Sequence, residues 1–369
     1  MTLIFTESFD LFAGNTTDYG YKWFDRSFGN ATLGSTTGRF GGSAAQISAS
    51  VGSPSSGTGY IGAGLGTDYT TFVVGFAMNI QSLPVGTAFF WVVDSANTTQ
   101  LYMAVDVGVL APYFVRSGSG TRLCTSSRSV PTGSWVYVEV PMNISATAGW
   151  CEIWLDGTLT ASYYGTNTSR ASSNGNTLSG LAAGARTVRI GCQISGSLVT
   201  NTFLYDDLYV CNTAGTVNND RLGDVHVMSL LPTGASAAGG HTQFTIGGTT
   251  PAATNYQSVN EATPNVDVTY VADNTVGHVD TYAYADLPTT ASVVRGVAAQ
   301  YVARKDDAGL RQIQAVVRQS GTDAYSPSVF NLGASYQSAQ LIMETNPVTG
   351  LPWTVSDVNG DEFGFRVYS

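Results

Sequence analysis

No stretch of this chain keeps a helical hydrophobic period for more than about two turns, whereas short β-branched and aromatic runs recur throughout. That pattern restricts the chain to folds built from strands. Thr71 to Ile80, Ala88 to Asp94, Thr99 to Val107 and Ala111 to Arg116 are strand-length runs separated by turn sequences such as Pro84-Val85-Gly86 and Asp94-Ser95-Ala96-Asn97. In the run from Trp135 to Val140, Trp135, Tyr137 and Glu139 share one face, and Val136, Val138 and Val140 share the other. Gly149 to Leu159 reads as a hairpin closed by Asp156-Gly157, with Cys151, Ile153 and Leu155 pointing one way. With Val188 to Ile194 and Phe203 to Val210, this first part holds roughly ten strands at the spacing of a sandwich. Turn signals at Gly14-Asn15 and the Ser/Gly-rich stretch Ser53 to Gly66 read as surface loops.

The segment Phe203 to Val227 organises the rest. Two strand-like runs, Phe203 to Val210 and Asp224 to Val227, flank a Gly/Asn-rich turn, so the first closes one domain and the second opens another. The domains expected are residues 1–215 and 216–369. In the second, Val266 to Val271, Val279 to Tyr284, Ala339 to Glu344 and Phe363 to Val367 read as strands. Val293 to Ala303 and Leu310 to Arg318 read as a hairpin, and Asn346 to Trp353 as a rigid turn carrying an anchored Trp. The expected fold is all-β, with two β-sandwich (jelly-roll-like) domains.

Charged residues make up 11% of the 369, against about 25% in an average globular protein. Such depletion suits a surface covered by neighbouring subunits, as in a homo-oligomer, and equally a sandwich rich in Ser, Thr and Asn. A net charge of −10, with only two lysines and scattered arginines, excludes the basic patch of a nucleic-acid binder. The start MTLIFTESFD lacks the parts of a secretory signal, and no apolar run approaches membrane-span length, so no membrane insertion is expected. Cys124, Cys151, Cys192 and Cys211 show no zinc spacing and read as reduced, buried small hydrophobes.

Two resemblances follow from quoted residues. The opener ESFD, the strand GSWVYVEV, the hairpin EIWLDG and the closing strand YDDLYV, in that order over residues 1–212, resemble a concanavalin A-like/laminin-G-like jelly roll. The runs NNDRLGDVHV, VADNTVGHVDTYAYADLP, ARKDDAGLRQIQAVVR and NPVTGLPWTVSDVNGDEFGFRV, over most of residues 203–369, are similar to those of tail or virion structural proteins of tailed bacteriophages. This second resemblance implies a non-enzymatic virion part, a minor tail or tail-fibre-associated component made in the host cytoplasm, with other virion proteins as partners. Its alternatives are a capsid-decorating or head-fibre protein, or an adhesin module that binds host-surface glycan.

Jelly rolls of the laminarinase type carry alternate carboxylates on one strand. The nearest run here is Glu152 with Asp156, a turn residue without a third carboxylate, so no catalytic residue is expected. His226, His241 and His278 lack metal-ligand spacing. Calcium is the one cofactor the jelly-roll resemblance brings in, through Glu7 and Asp206, if the opening and closing strands pair; Asp10 and Asp207 lie alongside. Asp357 to Asp361 reads as a plain turn. Trp91, Tyr102, Tyr113, Trp150, Tyr163 and Tyr164 are candidates for a sugar-binding face, with Tyr163, Tyr164 and Tyr113 put forward as glycan contacts. Tyr163-Tyr164 leads because adjacent strand residues cannot both point inward.

Overall fold

Strands form where the sequence alternates, and their pairing partners decide the architecture. The structure, a computed structural model, describes residues 3–11, 23, 25–28, 31–50, 57–82, 87–106, 108–180, 184–194, 200–237 and 240–369. The turns expected at Gly14-Asn15 and Pro84-Val85-Gly86 lie outside them. The chain divides into two compact units, Met1–Met228 and Ser229–Ser369.

In the first unit the strands are β1 (Leu3–Glu7), β2 (Asp25–Phe28), β3 (Ala31–Thr37), β4 (Ser43–Ser50), β5 (Gly57–Tyr69), β6 (Thr71–Ile80), β7 (Ala88–Val93) and β8 (Thr99–Val105). They continue as β9 (Pro112–Arg116), β10 (Thr121–Thr125), β11 (Trp135–Asn143), β12 (Trp150–Leu155), β13 (Thr158–Tyr163), β14 (Ala185–Ile194) and β15 (Thr200–Asn212). An eight-stranded sheet runs β13-β12-β11-β6-β15-β4-β3, with β1 also on β15. A seven-stranded sheet runs β10-β9-β8-β7-β14-β5-β2. The chain passes repeatedly between the sheets, as in a jelly roll, and every pairing between these strands is antiparallel. Phe72, Val74, Phe76, Met78, Val136, Val138 and Val140 from one sheet meet Phe90, Val92, Leu101, Met103 and Ile190 from the other in one buried core.

The β12–β13 hairpin forms as its sequence dictates. Cys151, Ile153 and Leu155 enter the core, while Asp156 and Gly157 take the positive φ values of +48° and +75° that a tight two-residue turn needs. The stretch from Gly57 to Gly66, expected as a loop, is instead part of β5. Its glycines serve close approach: a Cβ on Gly59 would lie 2.3 Å from Ala31 Cβ, and one on Gly62 2.5 Å from Asp25 Oδ2. Composition alone hid that strand.

β15 carries the join between neighbours. Thr200–Tyr205 pair with β4 and Leu208–Cys211 with β1, so the two partners change over at Asp206-Asp207. There the pairing with β6 also shifts register, and Asp207 takes a left-handed φ of +52°. Asp224 to Val227, expected to open a second domain as a strand, forms no strand. Residues 216–228 stay in the first unit because their backbone amides and side chains are held on its eight-stranded sheet, as described below.

In the second unit β16 (Pro232–Ala235), β17 (Thr245–Gly247), β18 (Tyr270–Ala272), β19 (Val279–Tyr284) and β20 (Val297–Ala303) precede β21 (Gln312–Gln319), β22 (Thr322–Tyr325), β23 (Phe330–Asn331), β24 (Gln337–Met343), α1 (Val355–Gly360) and β25 (Glu362–Val367). A six-stranded sheet runs β16-β19-β25-β21-β22 with β23 on β21, and β20 pairs with β24 as a separate ribbon. Ala315, Val317 and Phe363 of the sheet pack with Leu341 and Met343 of the ribbon around Trp353, whose Nε1 donates to Met343 O at 2.8 Å. The expected hairpin between Val293–Ala303 and Leu310–Arg318 does not form. Both segments are strands, but they lie in opposite layers, and the residues between them carry the chain across. Asp357 to Asp361 is not a plain turn either: it runs from the first turn of α1 to its C-cap, and at the N-terminus Thr354 and Asp357 exchange side-chain and backbone hydrogen bonds in a capping box.

Candidate functional site

Part of the outer surface of the eight-stranded sheet, over β11, β12 and the middle of β15, is covered by the chain itself. Glu139 on β11, 1% exposed, accepts from Tyr209 OH at 2.6 Å, Gly223 N at 2.9 Å and Arg221 Nη1 at 2.9 Å. Glu152 on β12 accepts from Tyr164 OH at 2.6 Å, Trp154 Nε1 at 2.7 Å, and Arg170 Nε and Nη2 at 2.6 Å each. Burial alone would raise the Glu152 carboxyl; the Arg170 guanidinium, the Tyr164 hydroxyl and the Trp154 N–H outweigh it and hold the group below its ordinary range. Arg221 stacks 3.4 Å over Trp154, and Arg170 4.6 Å over Trp150. The residues from 213 to 228 thus form a strap whose arginine, amides and Leu222 seal the polar side of β11.

The same strap reaches the changeover in β15. Val227 N donates to Asp207 Oδ1 at 2.7 Å, and Arg39 grips Asp224 with both Nη atoms at 2.6 and 2.5 Å, while its Nη1 lies 3.6 Å from Asp207 Oδ2. Asp206 accepts from Arg39 N at 2.7 Å and from Asp207 N at 2.9 Å. β1 and β15 do pair, so Glu7 stands opposite Leu208, yet Glu7 Oε1 accepts from Phe9 N at 2.8 Å. These carboxylates stitch backbone where three strands part. Among the described residues no group of three or more His, Cys, Asp or Glu is placed to hold a metal ion; Glu7 and Asp206 each accept from backbone amides.

Burial, with the Asp207 charge next, pushes Asp206 up to about 8; burial pushes Asp207 up to about 7 against the pull of Arg39. Folded pKa values above the unfolded value of about 3.9 mean that the folded state keeps protons the unfolded chain releases. Stability is therefore full below about pH 4 and is lost as pH rises toward about 8. Thermal unfolding followed across that window should show the melting temperature of the first unit falling with rising pH, and Asp206→Asn should flatten the fall. A melting temperature that climbs over the same window would contradict this placement of the charges.

The outer surface of the seven-stranded sheet is different. Trp91 on β7 lies directly opposite Tyr102 on β8, and Tyr113 on β9 lies opposite Ala104 one step along. Tyr60 on β5 reaches over β14 toward Trp91, ring centroids 6.3 Å apart. It can do so because its partner on β14 is Gly191, where a Cβ would fall 2.1 Å from Gly59 O and 2.7 Å from Tyr60 Cα. Ala88, Trp91, Val93 and Ala104 form a buried floor with half-buried Tyr60, Tyr102 and Tyr113 against it. Arg122 lies 3.6 Å over Tyr113 and Arg189 4.4 Å over Tyr60. The result is an aromatic row across neighbouring strands, with the Tyr60 and Trp91 rings tilted 52° to one another; such rings can pack against the apolar faces of sugar rings.

Of the residues expected at a sugar-binding face, Trp91, Tyr102 and Tyr113 come together in this row. Trp150 and Tyr164 lie on the other sheet, under Arg170 and against Glu152. Tyr163 packs against the core, its hydroxyl accepting from Asn176 N at 3.2 Å. Tyr164, next along the chain, instead donates its hydroxyl to Glu152 Oε1. Tyr60 was missed because its glycine-rich strand read as a loop. Glu152 and Asp156 have separate partners, Asp156 holding Tyr137 N at 2.8 Å and Arg128 at 2.5 Å. His241 and His278 each contact one aspartate, Asp323 at 2.6 Å and Asp273 at 2.9 Å, and His226 sits against Phe40.

No protein-family profile and no curated protein matches the sequence. Among solved structures, the chain is similar to a cellulose-induced protein, Cip1, at 15% identity and a TM-score of 0.43, covering 60% of this chain and all of that one. It is also similar to a protein of unknown function with a galectin-like fold from Bacillus subtilis (9% identity, TM-score 0.36, 57% of this chain and 98% of that one). A third is the carbohydrate binding module CBM66 from Bacillus subtilis (10% identity, TM-score 0.31, 50% and 98%). These are distant likenesses among β-sandwiches.

Proposed function

We propose that this protein is a non-catalytic glycan-binding module which works as a structural part of a tailed-phage particle. The observation that carries the binding role is the row Tyr60, Trp91, Tyr102 and Tyr113 across neighbouring strands, with guanidinium groups over the Tyr60 and Tyr113 rings. Rings held on strands of a rigid sheet are pre-organised, so little conformational freedom is lost when a sugar stacks on them. On the other sheet the carboxylates Glu139 and Glu152 are taken up by Arg221 and Arg170, which also lie over Trp154 and Trp150. The virion role is supported by the resemblance of residues 203–369 to phage tail and structural proteins. On this reading the neighbours are other virion proteins and further copies of the chain, and the glycan lies on the host surface.

Two experiments test the two halves. The full chain, passed over a panel of immobilised glycans, should be retained by a subset of them; retention by none would remove the binding role. Immunogold labelling of particles in electron micrographs should place the chain on the virion, on the tail for a tail component or on the head for a decorating one. Unlabelled particles would remove the virion role.

A further inference from the structure

The aromatic row carries two arginines, and both guanidinium groups are already engaged. Arg122 gives Nη1 to Asp106 Oδ2 at 2.9 Å while lying on Tyr113. Arg189, lying on Tyr60, gives Nε and Nη2 to the Asp25 carboxylate at 2.6 and 3.1 Å, and Nη2 also meets Asn97 Oδ1 at 2.5 Å. Each positive charge on the row is thus matched by a carboxylate held by the fold. An acidic sugar would meet guanidinium groups whose charge Asp25 and Asp106 already offset, and it would approach a chain of net charge −10. A neutral sugar meets no such opposition. Its apolar faces stack on the rings, and its hydroxyl groups find both donors and acceptors at the two Arg–Asp pairs.

We infer that the row selects neutral glycan chains over those bearing uronic or sialic acids. This rests on the glycan-binding reading above. From Tyr60 on β5 to Tyr113 on β9 the row crosses β14, β7 and β8, four strand spacings of ~4.8 Å, or about 19 Å. That length suits a chain of several sugar units better than a single terminal residue.

The test is calorimetric titration of the full chain against neutral chains (dextran, galactomannan, cello-oligosaccharides) and acidic ones (polygalacturonate, alginate, polysialic acid), at low and at high salt. The expected result is binding of at least one neutral chain with an affinity that salt leaves unchanged, and about tenfold or weaker binding of every acidic chain. Asp106→Asn, which frees the Arg122 guanidinium at an exposed pair, should narrow that gap by raising affinity for acidic chains in low salt. Tighter binding of an acidic chain than of any neutral one, abolished by Tyr102→Ala, would overturn the selectivity and leave the binding role intact. Binding of neither class would overturn both.

Discussion

Replacing Glu139 by alanine should destabilise the first unit by about 3–5 kcal/mol, the range for removing one partner of a buried ion pair. The glutamate is 1% exposed and serves three donors at once: the Tyr209 hydroxyl, the Gly223 amide and the Arg221 guanidinium. Its loss leaves a partly buried positive charge and a buried hydroxyl without their acceptor, and it unfastens the strap at its middle. Denaturant unfolding gives the number. The double variant Glu139→Ala with Arg221→Ala should cost less than the sum of the two single changes, because the second removes the charge that the first strands. A loss below about 1 kcal/mol would place Glu139 among exposed pairs of little worth and contradict the sealed strap.

The second large effect belongs to the other unit. A Cβ on Gly364 of β25 would lie 1.8 Å from Asp280 O and 2.8 Å from Thr281 Cα on β19, both backbone atoms of the neighbouring strand. No rotamer relieves such a contact, so Gly364→Ala must push β19 from β25 in the middle of the six-stranded sheet. About 3 kcal/mol is expected, at the upper end of ordinary overpacking costs. Hydrogen exchange should report it as lost protection at Val279–Tyr284 and Glu362–Val367. Unchanged protection there would mean that the two strands are not paired in this register.

Local chemistry made part of this fold legible from sequence. The β12–β13 hairpin was readable because its turn residues and its alternation agree, and each is decided by neighbours in sequence. The β19, β24 and β25 strands were readable for the same reason. Partnership was not. β20 and β21 follow one another and both alternate, yet the layer each occupies depends on Leu341, Met343 and Trp353, which no local pattern announces. β5 escaped notice because its glycines, needed for close approach, look like loop residues. The strap escaped because Arg170 and Arg221 look like scattered surface charges until the fold sets them on Glu152 and Glu139.

Three residues of the aromatic row were legible in sequence, and the other aromatic candidates lie elsewhere. Tyr113 stands in the aromatic row, together with Trp91 and Tyr102, because strand alternation sends all three outward. Tyr163 and Tyr164 satisfied the same alternation, but sequence does not reveal that Glu152 and the core already occupy them. The pairing of the first and last strands of the first unit, a condition on the sequence reading, does form. What their carboxylates do with it was not legible: a changeover between β4 and β1 leaves backbone amides to satisfy, and Asp206 turns to them.

The most direct measurement is calorimetric titration of the full chain and three variants with a glycan retained from the panel. Tyr102→Ala and Tyr113→Ala should each weaken binding by about tenfold, ~1.4 kcal/mol, while Tyr164→Ala leaves it unchanged. Binding that survives both changes in the row and disappears with Tyr164→Ala would put the glycan on the opposite sheet and contradict the account.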